Sequence, residues 1–234
     1  DKFLNYVRDA FEFSLKSDVL MTLGIQPSEP NTGYGYIQFD EDGGDVKKVL
    51  DFTEKPDLDT AKKFLERGDY LWNAGIFIWS VKSILKAFGS SLPEMHDLFR
   101  RGSGSWNSER ERGFIEENYE KSENISIDYG IMEKADNVYV MATEFGWNDL
   151  GTWGSLYNKL DKDQQKNVSV NARTMFKSST GNMVSGPKDK KIVIQGLDDY
   201  IVVDTEDTLL IFPKSDEQNI KQVSKEAEAR FDSK

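Results

Sequence analysis

Apolar residues Phe3, Leu4, Val7, Ala10, Phe11 and Leu15 recur at three- and four-residue steps, which predicts a helix with one buried face over residues 1–17. The pattern then changes. VLMTLGI (19–25) is an apolar run without alternation, as expected of a strand covered on both faces. Pro27, Pro30, Asn31 and Gly33 mark a loop. YGYIQFD (34–40) alternates as a strand, DGG (42–44) is a turn, and VKKVLDFTEKP (46–56) returns as a strand stopped by Pro56, so a hairpin is expected. Asp59 can cap a helix over TAKKFLERG, with Gly68 as its stop. YLWNAGIFIWSV (70–81) is the strongest strand and is apolar on both faces. Ser80 or Ser83 can open the helix SILKAFGSSLP. A loop (100–109), a helix over RERGFIEENYEK, a short helix over 125–135 capped near Asp128, and a strand NVYVMATEF (137–145) follow. GWNDLGTWGSLYNKL (146–160) is a glycine-bearing turn entering a helix.

The charged stretch DKDQQKN (161–167) separates this mixed α/β part from a region where the helical signal fades. Beyond it, short apolar clusters at Val168, Met183, Ile192, Ile201 and Leu209 recur at steps of roughly 8 to 17 residues, as expected of a β-helix or small β-roll. SDEQNIKQVSKEAEARF predicts a terminal amphipathic helix. Two units are therefore expected: an α/β domain over 1–160 and a small β unit over 168–234.

Composition narrows the function. A net charge of −11 argues against general binding to a nucleic-acid backbone, which needs a cationic face. The chain has no Cys and one His, His96, so thiolate chemistry and a multi-histidine metal site are excluded. No apolar run is long enough to span a membrane, and the first residues lack the apolar core of a signal peptide, so a cytoplasmic protein is expected. The chain opens without Met, directly in a helix, which suggests a fragment.

Five segments could carry chemistry. In TGYGYI (32–37), Gly33 and Gly35 flank Tyr34 and would allow close backbone approach to a ligand, or form an ordinary turn. In FTEKP (52–56), Glu54 and Lys55 sit at a strand end; in a regular strand they point to opposite faces, and Lys is a good point charge for a phosphate. The alternative is a solvated charge pair. In WNAGIFIW (72–79), the Asn73 amide ahead of Ala74 and Gly75 can donate to and accept from sugar hydroxyls, or close a local turn. In GWNDLGTW (146–153), Asp149 could hold Mg²⁺ together with substrate phosphates, or Asp149 or Asn148 could cap the helix. Asp128 and Glu133 in SIDYGIMEK fit a cap and a solvated helix face as well as a pocket.

Taken together and in this order, these five segments resemble the mannose-1-phosphate guanylyltransferase family of sugar nucleotidyltransferases. The resemblance runs from about Val19 to about Leu160 and extends to KKIVIQGLDDYIVVDTEDTLLI. It implies a glycosyltransferase A-like α/β domain with a mixed sheet, then a left-handed β-helix segment and a terminal helix. It also implies transfer of GMP from GTP to mannose 1-phosphate, giving GDP-mannose and pyrophosphate. By motif, Lys55 would meet the sugar phosphate, and Glu54 and Asn73 would bind mannose hydroxyls. Gly35 would let the backbone pass close to the sugar. Tyr36, Gly75 and Asp128 would complete the substrate-binding set, and Asp149 would hold Mg²⁺. Lys55 and Asp149 would be the catalytic pair.

The chain also departs from that family. The glycine-rich phosphate loop and an Asp in a Pro-Ser-Asp-His setting do not occur, and Gln38 stands where an acidic residue is common. The nucleotide half of the site is therefore expected to be missing and this chain alone to be inactive. Loss of central strands would leave open edges on VLMTLGI and NAGIFIW, so self-association, as a homodimer, is expected. A related enzyme for another sugar or nucleotide, a non-catalytic subunit of the same fold, and a carbohydrate-binding module are the competing readings.

Overall fold

The computed structural model describes residues 2–42 and 44–231; Gly43, in the turn expected at 42–44, lies outside the described residues. By internal packing the chain divides into Asp1–Trp147 and Asn148–Lys234. The helix at 153–159, which the sequence pattern attaches to the first part, groups with the second.

The first unit is built on five strands: β1 (Leu20–Ile25), β2 (Tyr36–Phe39), β3 (Val46–Thr53), β4 (Tyr70–Trp79) and β5 (Val138–Thr143). They close in the order β1-β4-β2-β3-β5. β1 and β5 run parallel and the other neighbours antiparallel, so the sheet is mixed. The apolar run at 19–25 forms β1, which is buried on both faces. Leu20 joins Ile37, Leu71, Val138 and Val140 on one face, and Met21 and Leu23 join Ala10 and Ile78 on the other. The open edge expected on VLMTLGI is not found, because β1 is flanked by β4 on one side and β5 on the other. In NAGIFIW, Phe77–Trp79 pair with β1, while β2 meets β4 only at Tyr70–Trp72.

Helices cover this barrel. In α1 (Lys2–Lys16), Ala10 and Ser14 are buried, whereas Leu4, Phe11 and Leu15 are exposed, so the buried face is rotated from the predicted one. Ser14 is tolerated inside because its hydroxyl can donate to the Ala10 carbonyl at 2.9 Å. In α2 (Leu58–Arg67) the cap is Asp57, two residues before the expected Asp59, since its carboxylate accepts from Thr60 N at 2.9 Å. Gly68 ends that helix in a left-handed conformation (φ 77°), as its position predicts. Ser80 caps α3 (Val81–Ser91). α4 (Pro93–Arg100) and α5 (Glu111–Asn118) follow. Residues 128–132 form a π-helical turn rather than an ordinary short helix.

The second unit opens with α6 (Trp153–Lys159) and continues through β6 (Val168–Val170), β7 (Arg173–Lys177), β8 (Met183–Ser185), β9 (Lys191–Gln195), β10 (Tyr200–Asp204) and β11 (Leu209–Pro213) to α7 (Ile220–Phe231). The chain alternates between two ladders. β6, β8 and β10 pair in parallel on one, with β11 antiparallel at its edge, and β7 and β9 pair in parallel on the other. Val184, Ile194 and Val202 fill the space between. Asn167 and Asn182 are buried at successive turns. The Asn182 amide donates to Asn167 Oδ1 at 3.0 Å and to the Leu197 carbonyl at 2.7 Å, and its oxygen accepts from Tyr200 N at 2.9 Å. Corner backbone groups thus find partners in asparagine side chains. Among the described residues, no helix is long and apolar enough to cross a membrane.

Candidate active site

β3 ends at Thr53, and the chain leaves it through Glu54 and Lys55. Lys55 adopts a left-handed backbone, φ 48°. That turn breaks the alternation expected of a strand. The two side chains therefore meet: Lys55 Nζ donates to Glu54 Oε1 at 2.7 Å. Glu54 is 9% exposed and Lys55 57% exposed, so a nearly buried carboxylate carries an ammonium that still faces solvent. The hydrogen bond to Glu54 holds the Lys55 ammonium above its ordinary pKa, despite an opposing effect of partial burial. The main chain here is also anchored. Lys55 N donates to the Tyr34 carbonyl at 3.2 Å, and Glu54 N donates to Glu133 Oε1 at 3.1 Å.

Gly35 lies beside this pair. A Cβ at this position would collide with the Glu54 carboxylate and stand 3.4 Å from Asn73 Cβ. The close approach foreseen for Gly35 is thus met first by a side chain of the protein itself. The Gly35 carbonyl accepts from Asn73 N at 2.8 Å, which ties β4 to the same corner. Past Asn73, β4 bulges. Its register against β1 moves from Thr22↔Phe77 to Gly24↔Asn73, and Gly75, in the bulge, has φ 67°. The bulge turns the Asn73 amide out of the ladder. Asn73 Nδ2 donates to Asp128 Oδ1 at 3.0 Å. Asp128 makes no side-chain cap at its own turn; its carboxylate serves Asn73 instead.

Glu54, Lys55, Gly35, Asn73, Gly75 and Asp128 therefore share one corner of the first unit. Tyr36 does not. Its side chain is fully buried, packed on Phe64 with ring centroids 5.4 Å apart, and its hydroxyl donates to the Asn31 carbonyl at 3.0 Å. Burial raises its pKa. Alternation decides this: Tyr36 is one step along from Gly35 and points into the core. Asp149 belongs to the second unit. The expected cap by Asp149 or Asn148 is not made. Thr152 caps α6 in a capping box with Ser155, and Asn148 Oδ1 accepts from Leu150 N at 2.8 Å. Thr22 is a member of this corner that the motifs do not single out. Its hydroxyl donates to Asn73 Oδ1 at 2.9 Å, and the available signal is a polar residue inside the run VLMTLGI.

The nucleotidyl transferase family model matches residues 1–166. The chain belongs to the nucleotidyl transferase family. Among curated relatives, the mannose-1-phosphate guanylyltransferase RfbM of Salmonella typhimurium is 33% identical over 223 residues, covering 94% of this chain and 46% of that protein. The mannose-1-phosphate guanylyltransferase of Escherichia coli is 31% identical over 229 residues, covering 94% of this chain and 48% of that protein. A solved structure described as mannose-1-phosphate geranyltransferase, from Thermus thermophilus, superposes with a TM-score of 0.81 at 29% identity, covering 95% of this chain and 65% of that one. The chain spans about half the length of the curated relatives it matches.

Proposed function

We propose that this chain supplies the sugar 1-phosphate half of a mannose-1-phosphate guanylyltransferase, which transfers GMP from GTP to mannose 1-phosphate and releases pyrophosphate with GDP-mannose. The observation that carries this reading is the Glu54–Lys55 pair beside Gly35 and Asn73. A half-exposed ammonium on a buried carboxylate is a fixed cation for a phosphate, and an amide and two carboxylates around it suit sugar hydroxyls. The named function of the relatives supports the sugar and the nucleotide. Lys55 would neutralise the sugar phosphate. Glu54, Asn73 and Asp128 would hold the ring, and Gly35 would keep the wall of the site thin. Tyr36 would act from the core, through the backbone of β2.

A divalent cation, Mg²⁺ in this reading, would supply charge neutralisation on the phosphates when bound. Among the described residues no group of three His, Cys, Asp or Glu is placed to hold a metal. In this reading a single carboxylate, Asp149, would hold the ion, with substrate phosphates supplying further oxygens. We read the two parallel ladders of the second unit as a left-handed β-helix segment, and the whole as part of a cytoplasmic, homodimeric enzyme.

Thermal unfolding with Mg²⁺ and a ligand panel tests this. Mannose 1-phosphate or GDP-mannose should raise the unfolding temperature, GTP alone should do little, and Lys55→Ala and Asn73→Ala should abolish the rise. A response to no sugar phosphate, or an equal response in the variants, would overturn it.

A further inference from the structure

Thr22 is fully buried in β1, on the face shared with Leu20, and its side chain reaches across the sheet to Asn73. Its hydroxyl has one proton to give. Asn73 Oδ1 at 2.9 Å is closer than the carbonyls of Ile76 at 3.3 Å and Leu23 at 3.5 Å. Gly75 N, presented by the bulge, donates to the same Oδ1 at 3.1 Å. The Asn73 oxygen therefore has both lone-pair directions in use. On the other side, Nδ2 spends one hydrogen on Asp128 Oδ1 at 3.0 Å and keeps one. The reversed amide would set its NH₂ against the Gly75 N–H and its oxygen against the Asp128 carboxylate, two like-for-like clashes. Gly75 and Asp128 thus fix the sense of the amide, and the Thr22 hydroxyl, donating to the oxygen so fixed, holds it in place.

We propose that Thr22 is a positioning residue that fixes the Asn73 side chain as a hydrogen-bond donor, so that the ligand group meeting Asn73 is an acceptor, such as a sugar hydroxyl oxygen. This rests on the sugar 1-phosphate reading above and goes further, by assigning the direction of that bond and a residue that holds the amide for it. Thr22 touches no ligand in this account. It acts by engaging the second lone pair of the oxygen that Gly75 and Asp128 orient, which holds the amide plane in place.

Two variants separate positioning from packing. Thr22→Val keeps the volume and removes the hydroxyl; Thr22→Ser keeps the hydroxyl and removes a methyl group. Positioning predicts that Val weakens mannose 1-phosphate binding by calorimetry about tenfold, the loss of one ordered hydrogen bond, while Ser stays within about twofold. Packing predicts the reverse order, with Ser the worse of the two. Ser binding as weakly as Val, or more weakly, overturns the proposal. The Asn73 side-chain amide resonances, read by NMR on the same full chains without ligand, give a second measure. They should shift in Thr22→Val and hold in Thr22→Ser; an unmoved resonance in Thr22→Val overturns the proposal. If the wild-type chain binds no sugar phosphate, the functional reading fails, and the resonances alone decide whether Thr22 sets the amide.

Discussion

Lys55 and Glu54 are chain neighbours whose side chains bond at 2.7 Å, because the backbone turns left-handed at Lys55 immediately beyond β3. Removing the ammonium would leave a carboxylate that is 9% exposed without its cation. Lys55→Ala is expected to weaken mannose 1-phosphate binding at least about tenfold, through the loss of a charge-assisted contact. Titration calorimetry checks this, and unchanged affinity would remove Lys55 from the site.

The same pair sets a pH dependence. Glu54 raises the Lys55 pKa, so the pair's contribution is complete below the unfolded lysine value of about 10.4 and is lost as pH rises through the folded value. Binding should therefore show no lysine titration across the neutral range. The stability difference between wild type and Lys55→Met should shrink only in the alkaline arm. Unfolding temperatures from neutral to strongly alkaline buffer would show it.

Two glycines of this corner should lose stability to a methyl group for different reasons, and only one should lose affinity. At Gly35 an added Cβ meets the Glu54 carboxylate, so Gly35→Ala should cost about 1–3 kcal/mol and disturb sugar binding. At Gly75 nothing lies within 4 Å and the cost is backbone conformation alone, about 1–2 kcal/mol at φ 67°. Gly75→Ala should therefore lose stability with affinity largely kept. Denaturant midpoints beside affinities separate the two effects.

Tyr36→Phe should leave sugar phosphate affinity unchanged and cost about 1 kcal/mol, the net value of its bond to the Asn31 carbonyl. A loss of affinity comparable to that of Lys55→Ala would return Tyr36 to the site.

In the second unit, Asn182→Ala would strip the Tyr200 N–H of its side-chain partner and leave the Leu197 carbonyl with the bond from Thr180 N alone. A loss of about 1–3 kcal/mol is expected, chiefly from the unpaired Tyr200 donor. Urea unfolding at constant slope would measure it.

Much of this is legible in the sequence because the informative residues act locally. Gly68 needs a left-handed stop, Ser80 sits before an apolar helical pattern, and the run at 19–25 is too apolar for an exposed face. The motif residues Glu54, Lys55 and Asn73 stand out for the same reason. What escapes turns on a backbone angle, on a choice between neighbouring caps, or on a partner remote in the chain. The meeting of Glu54 with Lys55 follows from a backbone φ that no spacing encodes. Asp57 wins over Asp59 because its carboxylate accepts from both the backbone N–H and the hydroxyl of Thr60. Asp128 looks like a cap because its actual partner, Asn73, lies 55 residues away. Thr22 is hidden in the same way, its partner being 51 residues on.

The closure of the first barrel also carries a consequence for synthesis. β1 is made before β5, one of its two neighbours, and Thr143 reaches the Gly24 carbonyl across 119 residues. Until that last strand has left the ribosome, β1 presents an apolar ribbon with one bare hydrogen-bonding edge, the kind of surface that recruits other nascent chains. A nascent chain stalled before Val138 should therefore depend on a chaperone, and one released after Thr143 should not.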